Sequence, residues 1–390
     1  MNLTKYIDFK NFKLNKNIKN IKNIKKLLLN NINSKNEIIN SLKKTYKYSF
    51  DKKKLYNLKK YSTIILIGMG GSMLGAKSIY SFLKHKIKKN FFFVDNFDFF
   101  KKINSKKKKI NLVISKSGNT LETIVNANIL VKKKDKNIFI TENKKSYLRT
   151  LAQNIKADIV DHNNYIGGRY SVLSEVGMLP AELMDLNSSK FKRYDSLIKN
   201  KKFLDNLILN VSNTLTLVNK NKFNSVILNY DDSSNDLFYW YQQLIAESLG
   251  KNNKGIFPII SNVPKDNHSL MQYYLDGPKN NFYTFFFIND EKSLNLMNNK
   301  LLKTHWYLKN KKINDIKLAQ YEATQQVFNN RKIPFRSFFI KKRNEETIGE
   351  LFTFFILETI LLGKAMKLNP YNQPAVEYIK KNTKKNLVKI

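Results

Sequence analysis

The chain has no cysteine. That removes disulfide scaffolds, thiolate metal sites and cysteine nucleophiles together. Histidine is scarce, with only His85, His162, His268 and His305. No two of them stand four apart and no HExxH occurs, so the spacing offers no zinc site and no metal is expected. Acidic residues are few, 30 Asp+Glu against 70 Lys+Arg, giving a formal charge of +40. Such an excess ordinarily suggests nucleic acid or an anionic surface. Here the lysines run along the whole chain together with Asn, Ile and Phe, which share A/T-rich codons. Coding bias is the simpler source, and no specific nucleic-acid partner is expected. The positive field still attracts small anions. Long apolar runs are also missing. The stretch 351–362 contains Glu358 and is too short to span a bilayer. The first residues, MNLTKYIDFKNFKLNKN, lack the apolar core of a signal peptide. A cytoplasmic protein with no membrane contact is expected.

What is present can build a sizeable core: 390 residues, 42% hydrophobic and 13% aromatic, enough for two or three domains. Residues 1–50 are Lys/Asn/Ile-rich, with Ile18, Ile21, Ile24, Leu27 and Leu28 at helical spacing, and read as a helical arm. From Ser62 the pattern changes. Short β-rich runs at 63–67, 91–94, 110–114, 138–141 and 157–160 alternate with helical stretches. A helical link follows to about 221. A second series then places strands at 225–229, 255–260, 282–288 and 335–340, with helices at 236–251, 268–275, 314–329 and 345–367. Strand, loop, helix, strand at this spacing gives βαβ units and parallel sheets. The expected class is α/β: two three-layer α/β/α domains, 51–185 and 186–368, with mainly parallel sheets. The arm 1–50 precedes them, and a tail, 369–390, follows with a C-terminal helix. Thr347 and Glu350 have capping-box spacing in the last long helix.

Three stretches could carry chemistry. IGMGGS, 67–72, is a glycine-rich loop between strand and helix, where backbone N–H groups can meet an anion. It is not a dinucleotide fingerprint, because Met73 stands where GxGxxG needs glycine, and no GKS or GKT follows for a P-loop. SKSGNT, 115–120, sets Ser115, Ser117 and Thr120 around a glycine, also between strand and helix. Hydroxyls and a backbone nest can hold a phosphate without arginine. Thr120 can equally be an ordinary helix cap. Two such loops at the carboxyl ends of strands in one sheet favour phosphate, since ligands of open α/β sheets bind there. The third stretch is DLFYWYQQLIAESLGK, 236–251. Leu237, Trp240, Tyr241, Leu244 and Ile245 form one apolar stripe, and Glu247 projects along its edge. A carboxylate placed there is partly desolvated, which raises its pKa towards a value useful for proton transfer. Taken singly, Glu247 also reads as a flank residue, His268 as a helix-start residue, Arg169 as a salt-bridge partner and Lys380 as a solvated lysine.

The combination reads differently. SKSGNTLET resembles the phosphosugar loop of sugar-isomerase (SIS) domains. GGRYSVLSEVG (167–177), QLIAESLGK (243–251), DNHSLMQ (266–272) and NPYNQPAVEYIKK (369–381) resemble, in order, four segments of the glucose-6-phosphate isomerase family. The similarity covers about 60–381. It implies two SIS-type domains and reversible aldose–ketose isomerisation of glucose 6-phosphate and fructose 6-phosphate through a cis-enediol, with no cofactor. It also implies roles. Gly71, Ser72, Ser115, Ser117, Thr120 and Gly168 would hold the substrate phosphate and its surroundings, with Lys116 nearby, and Gln373 would line the pocket. Glu247 would move the proton between C2 and C1. His268 and Lys380 would open and close the ring, and Arg169 would steady the enediolate. In the family the histidine comes from the second subunit, which implies a homodimer. Ala375 departs from the glycine the family often carries there, and the Lys/Asn-rich N-terminal region carries no motif that can be named. A non-catalytic SIS regulator would keep SKSGNT without needing Glu247 or His268. An oxidoreductase would need the missing glycine at 73, although Asp95 stands where a ribose could be bound.

Overall fold

The computed structural model describes residues 2–97, 108–290, 292–296 and 299–390. Two five-stranded sheets organise it. The strands are β1 (Ile7–Lys10), β2 (Thr63–Gly68), β3 (Asn90–Val94), β4 (Lys109–Ile114), β5 (Lys136–Thr141), β6 (Asp158–Asp161), β7 (Asn224–Asn229), β8 (Phe257–Asn262), β9 (Asn281–Ile288) and β10 (Phe335–Ile340). The first sheet runs β3-β2-β4-β5-β6, all parallel. The second runs β1-β10-β9-β7-β8, parallel except for β1. Both are SIS-like α/β sheets of the expected class, flanked by helices.

Seven helices matter below: α1 (Ile18–Ile32), α2 (Leu74–Phe82), α3 (Leu121–Leu130), α4 (Lys201–Val218), α5 (Asn235–Leu249), α6 (Glu345–Ala365) and α7 (Glu377–Leu387). The central strands of both sheets are near-continuous apolar runs because both faces are covered, as parallel sheets require. β2 and β9 are buried at every position. One apolar cluster spans both halves, from Ile64 and Leu66 of β2 through Trp240 and Leu244 of α5 to Phe338 of β10 and Leu361 of α6. The two sheets therefore share a core, and a residue of one half can be placed rigidly against the other.

Three details differ from the sequence reading. The N-terminal region is helical at α1 but opens with a strand, β1, laid antiparallel on β10 with Ile7 opposite Ile340. Helix α6 is capped by Asn344, whose side chain accepts the Thr347 N–H at 2.8 Å. Thr347 is thus inside the first turn rather than at the cap. The helix after β8 begins at Met271, after a short turn over Lys265–Asn267, so His268 precedes it.

In the first sheet the order 3-2-4 makes the chain reverse direction between β2 and β4. Gly68 pairs with Ile114 there. The two candidate loops leave the carboxyl ends of these neighbouring strands and lie side by side at the topological switch point, the usual ligand position of such sheets.

Candidate active site

The first loop turns at Gly70 with φ +51, a left-handed conformation open to glycine. Gly71 then meets the 167–169 backbone. A Cβ on Gly71 would lie 2.2 Å from Gly168 C and 2.4 Å from Arg169 N. Two chain segments touch through their backbones, and only a residue without a side chain allows it. The second loop turns at Gly118, φ +64, where a Cβ would lie 2.1 Å from Ser146 Oγ. Ser115 and Thr120 hydroxyls are 3.0 Å apart. Thr120 is the N-cap of α3, yet its side chain makes no cap bond, so the hydroxyl belongs to the loop rather than to the helix. Ser117 is exposed and accepts the Asn119 N–H at 3.2 Å. Lys116 turns the other way, donating to Asn164 O at 2.8 Å with Glu142 at 3.6 Å. Burial holds its pKa below the ordinary lysine value, against the pull of Glu142.

Glu247 lies on α5 beside the buried Leu244, with its side chain 35% exposed. Both carboxylate oxygens are held: Oε1 accepts from Gln243 Nε2 at 2.8 Å and Oε2 from Arg169 at 3.1 Å. Gln243 is one helical turn earlier on the same face. A Cβ on Gly70 would lie 2.8 Å from Gln243 Nε2. Two contacts thus separate the first loop from the carboxylate.

Arg169 is the hub. It is 2% exposed, and all five of its N–H donors are engaged. Nε donates to Ser248 Oγ at 2.8 Å. One terminal nitrogen donates to Glu247 and to Gln373 Oε1 at 2.7 Å, and the other to Pro370 O at 2.7 Å and Asn372 O at 3.2 Å. Its own carbonyl accepts the Trp240 indole N–H at 3.1 Å. Tyr170 braces the same corner through Ser248 and Pro370 O, and burial pushes its hydroxyl up to about 12. Lys251 ties the 369–372 segment down through Asn372 Oδ1 at 3.0 Å. A buried guanidinium is stable here because every donor has a partner. Its charge, rather than a spare donor, is what it offers to a substrate.

Within one chain, contacts join Gly71 and Gly168 to Arg169, Glu247 and Gln373, and the pairing of β2 with β4 sets Ser72 beside the loop of Ser115, Ser117 and Thr120, so five separated stretches converge. It does not bring in His268 or Lys380. His268 is exposed, with no side-chain partner among the described residues. Lys380 is exposed and paired with Glu377 at 2.7 Å on α7, a helix with no buried residue. Gln243 and Ser248 escaped the sequence reading. Their signal was position: one turn before Glu247 and directly after it. Among the described residues, no group of three or more His, Asp or Glu is arranged to hold a metal ion, and no helix is long and apolar enough to cross a membrane.

Residues 15–259 match the family model described as phosphoglucose isomerase. The chain belongs to the phosphoglucose isomerase family. It is 34% identical over 358 residues to a glucose-6-phosphate isomerase of Methanocaldococcus jannaschii, covering 86% of each chain. It is 32% identical over 357 residues to one from Mycoplasmopsis pulmonis, covering 84% of this chain and 83% of that one. Among solved structures, a hypothetical protein from Thermus thermophilus superposes with a TM-score of 0.80 at 21% identity, over 94% of both chains. A glucose-6-phosphate isomerase from Chlamydia trachomatis superposes with a TM-score of 0.72 at 18% identity, over 86% of this chain and 72% of that one. These two similarities speak to the fold. Membership of the phosphoglucose isomerase family accounts for the five motif segments, and Arg169, Glu247 and Gln373 are where three of them meet.

Proposed function

We propose that this chain is a glucose-6-phosphate isomerase, interconverting glucose 6-phosphate and fructose 6-phosphate through a cis-enediol, in the cytoplasm and without a cofactor. The observation that carries the reading is the Glu247 carboxylate, held by Arg169 and Gln243 within two contacts of a glycine-rich loop at the sheet's switch point. The substrate phosphate sits among Ser72, Ser115, Ser117 and Thr120. That tether orients the reacting carbons. Glu247 removes the proton from the carbon next to the carbonyl and delivers it to the neighbouring carbon. One carboxylate on one face of the enediol serves both steps. The electrons of the broken C–H bond form the carbon–carbon double bond of the enediolate, and the carbonyl π electrons pass to oxygen, where the fixed charge of Arg169 lowers the energy of the oxyanion. The proton of the neighbouring hydroxyl then moves to that oxygen, so protonation of the other carbon leaves the carbonyl one position along.

Ring opening requires a proton donor and an acceptor, roles we assign to His268 and Lys380. Because neither reaches the site within one chain, His268 is supplied by the partner of a homodimer. Three features support this. His268 follows β8, the edge strand of the second sheet. The residues that follow it expose Leu270 and Tyr273. Helix α7 leaves Tyr378 and Ile379 72% and 67% exposed, an apolar strip that a second chain would cover.

A coupled assay with fructose 6-phosphate and purified protein tests the activity. Glu247→Gln should keep substrate affinity and lower kcat by about 10²–10⁴-fold, the usual share of a general base. Absence of turnover in the unmodified protein would reject the enzyme, and a near-normal kcat in the variant would remove Glu247 from its role.

A further inference from the structure

The second sheet has its own switch point. In the order β10-β9-β7-β8 the chain crosses from one side of β7 to the other, so the connections leaving the neighbouring ends of β7 and β9 diverge. In the first sheet the same position carries the two candidate phosphate loops. In the second it opens on a cleft of about 680 Å³, bounded by the chain after β7, β9 and β10 and by the end of α2. That volume is within the range of small-ligand sites.

The walls are cationic. Lys84, His85, Lys292, Lys342 and Arg343 line the cleft, against Asp290. Arg343 is paired with Asp231 at 2.6 Å. Asp290 uses an oxygen on the Lys292 N–H at 3.1 Å. No ion pair holds Lys84, Lys292 or Lys342 among the described residues; Lys84 and Lys342 lie over the rings of Tyr80 and Tyr6. Burial first, and then Arg343, Lys86 and Lys292, keep the pKa of His85 below its ordinary value. Lys84, Lys292 and Lys342 thus add three positive charges with no ion-pair partner among the described residues. The cleft has no stacking platform either, because Phe82 is fully buried and covered by the Arg343 guanidinium.

We propose that this cleft binds a compact soluble polyphosphate anion through Lys84, Lys292 and Lys342. A diphosphate carries more negative charge than a single phosphate and so balances three ammonium groups, drawn from both halves of the molecule, more nearly one for one. Without an aromatic face, nothing selects a nucleoside. The site is separate from the Glu247 centre and does not depend on how that centre is read.

The probe is inorganic pyrophosphate, titrated calorimetrically into the full-length protein with excess fructose 6-phosphate present. One site per chain is expected, with orthophosphate binding more weakly. The triple variant Lys84→Gln, Lys292→Gln, Lys342→Gln should weaken pyrophosphate binding about tenfold or more. These side chains are at the surface, so the fold should survive, and an unchanged urea unfolding midpoint checks it. A control, Lys19→Gln, Lys22→Gln, Lys26→Gln, removes the same charge from the exposed face of α1 and should leave affinity within about twofold. Equal loss in both variants would mean only a general positive field and would overturn the site. So would no binding at all, or displacement of pyrophosphate by fructose 6-phosphate.

Discussion

At Gly71 an added methyl group would meet the backbone of Gly168 and Arg169, not a side chain that could rotate away. Gly71→Ala must therefore push the first loop off the segment that carries Arg169. Overpacking of this kind costs about 1–3 kcal/mol, and a shift of about 1 Å at a catalytic centre costs about 10²-fold in rate. The expected result is a modest fall in the urea midpoint beside a far larger fall in kcat/KM; proportionate losses would contradict it. His162 sets a pH dependence close by. Its Nδ1 faces Asn163 O at 2.9 Å, while Nε2 is buried without a partner. Burial above all holds its pKa below the ordinary value; Glu175 and Glu142 oppose the shift, and Lys116 adds to it. In the unfolded chain the ring titrates near ~6.5. As pH falls, the unfolded state takes the proton first. The contribution of His162 is thus complete above about pH 6.5 and is lost on acidification through the lower, folded value. Urea unfolding between pH 7 and pH 5 should show that slope, and His162→Gln should flatten it. An unchanged slope would assign the acid loss elsewhere.

Between elements, the firmest joint is the pair Arg336 of β10 and Glu358 of α6, both side chains 1% exposed. Arg336 also donates to Asn210 of α4 at 2.9 Å, Thr284 of β9 at 2.9 Å and Tyr241 of α5 at 3.1 Å. Tyr241 shares its helix with Glu247, so this network sets the depth of the helix that carries Glu247. Removing one member leaves a buried charge unpaired. Glu358→Ala should cost about 3–5 kcal/mol in denaturant unfolding, and Arg336→Met with Glu358→Leu should cost less than the single change. A double variant weaker than the single would show that the polar atoms of Asn210 and Tyr241 carry more than the charges do. Periodicity in the sequence reached α5, its apolar stripe and Glu247, because those depend on neighbours three and four residues apart. It also reached the two loops, because glycine and hydroxyls mark them locally. It did not reach β1. Four residues, IDFK, alternate only twice, and their pairing is with a strand more than three hundred positions away. Nor did it reach the closure of Arg169 on Glu247, Gln373 and Pro370 O. That depends on two sheets sharing one core, and no local pattern encodes it. Those residues belong to family segments far apart in the chain, and the shared core is the reason they meet.

As a whole molecule, the chain holds one carboxylate ready and leaves the proposed ring-opening histidine on its surface. If His268 acts across a two-fold axis, each site is built from both chains, and two different lesions can be sorted into separate sites. Glu247→Gln and His268→Ala homodimers should each be nearly inactive. Unfolded together and refolded as an equal mixture, they should give half heterodimers. One site of each heterodimer then combines an intact Glu247 from one chain with an intact His268 from the other, while the opposite site carries both lesions. Activity should return to about one quarter of the unmodified level, the share of intact sites under random pairing. If His268 instead served its own chain, every site in every dimer would carry one lesion and mixing would restore nothing. Sedimentation of the same samples separates that outcome from failed assembly. A monomer at assay concentration would remove the cross-subunit role, and an inactive heterodimer would return the histidine to its own chain.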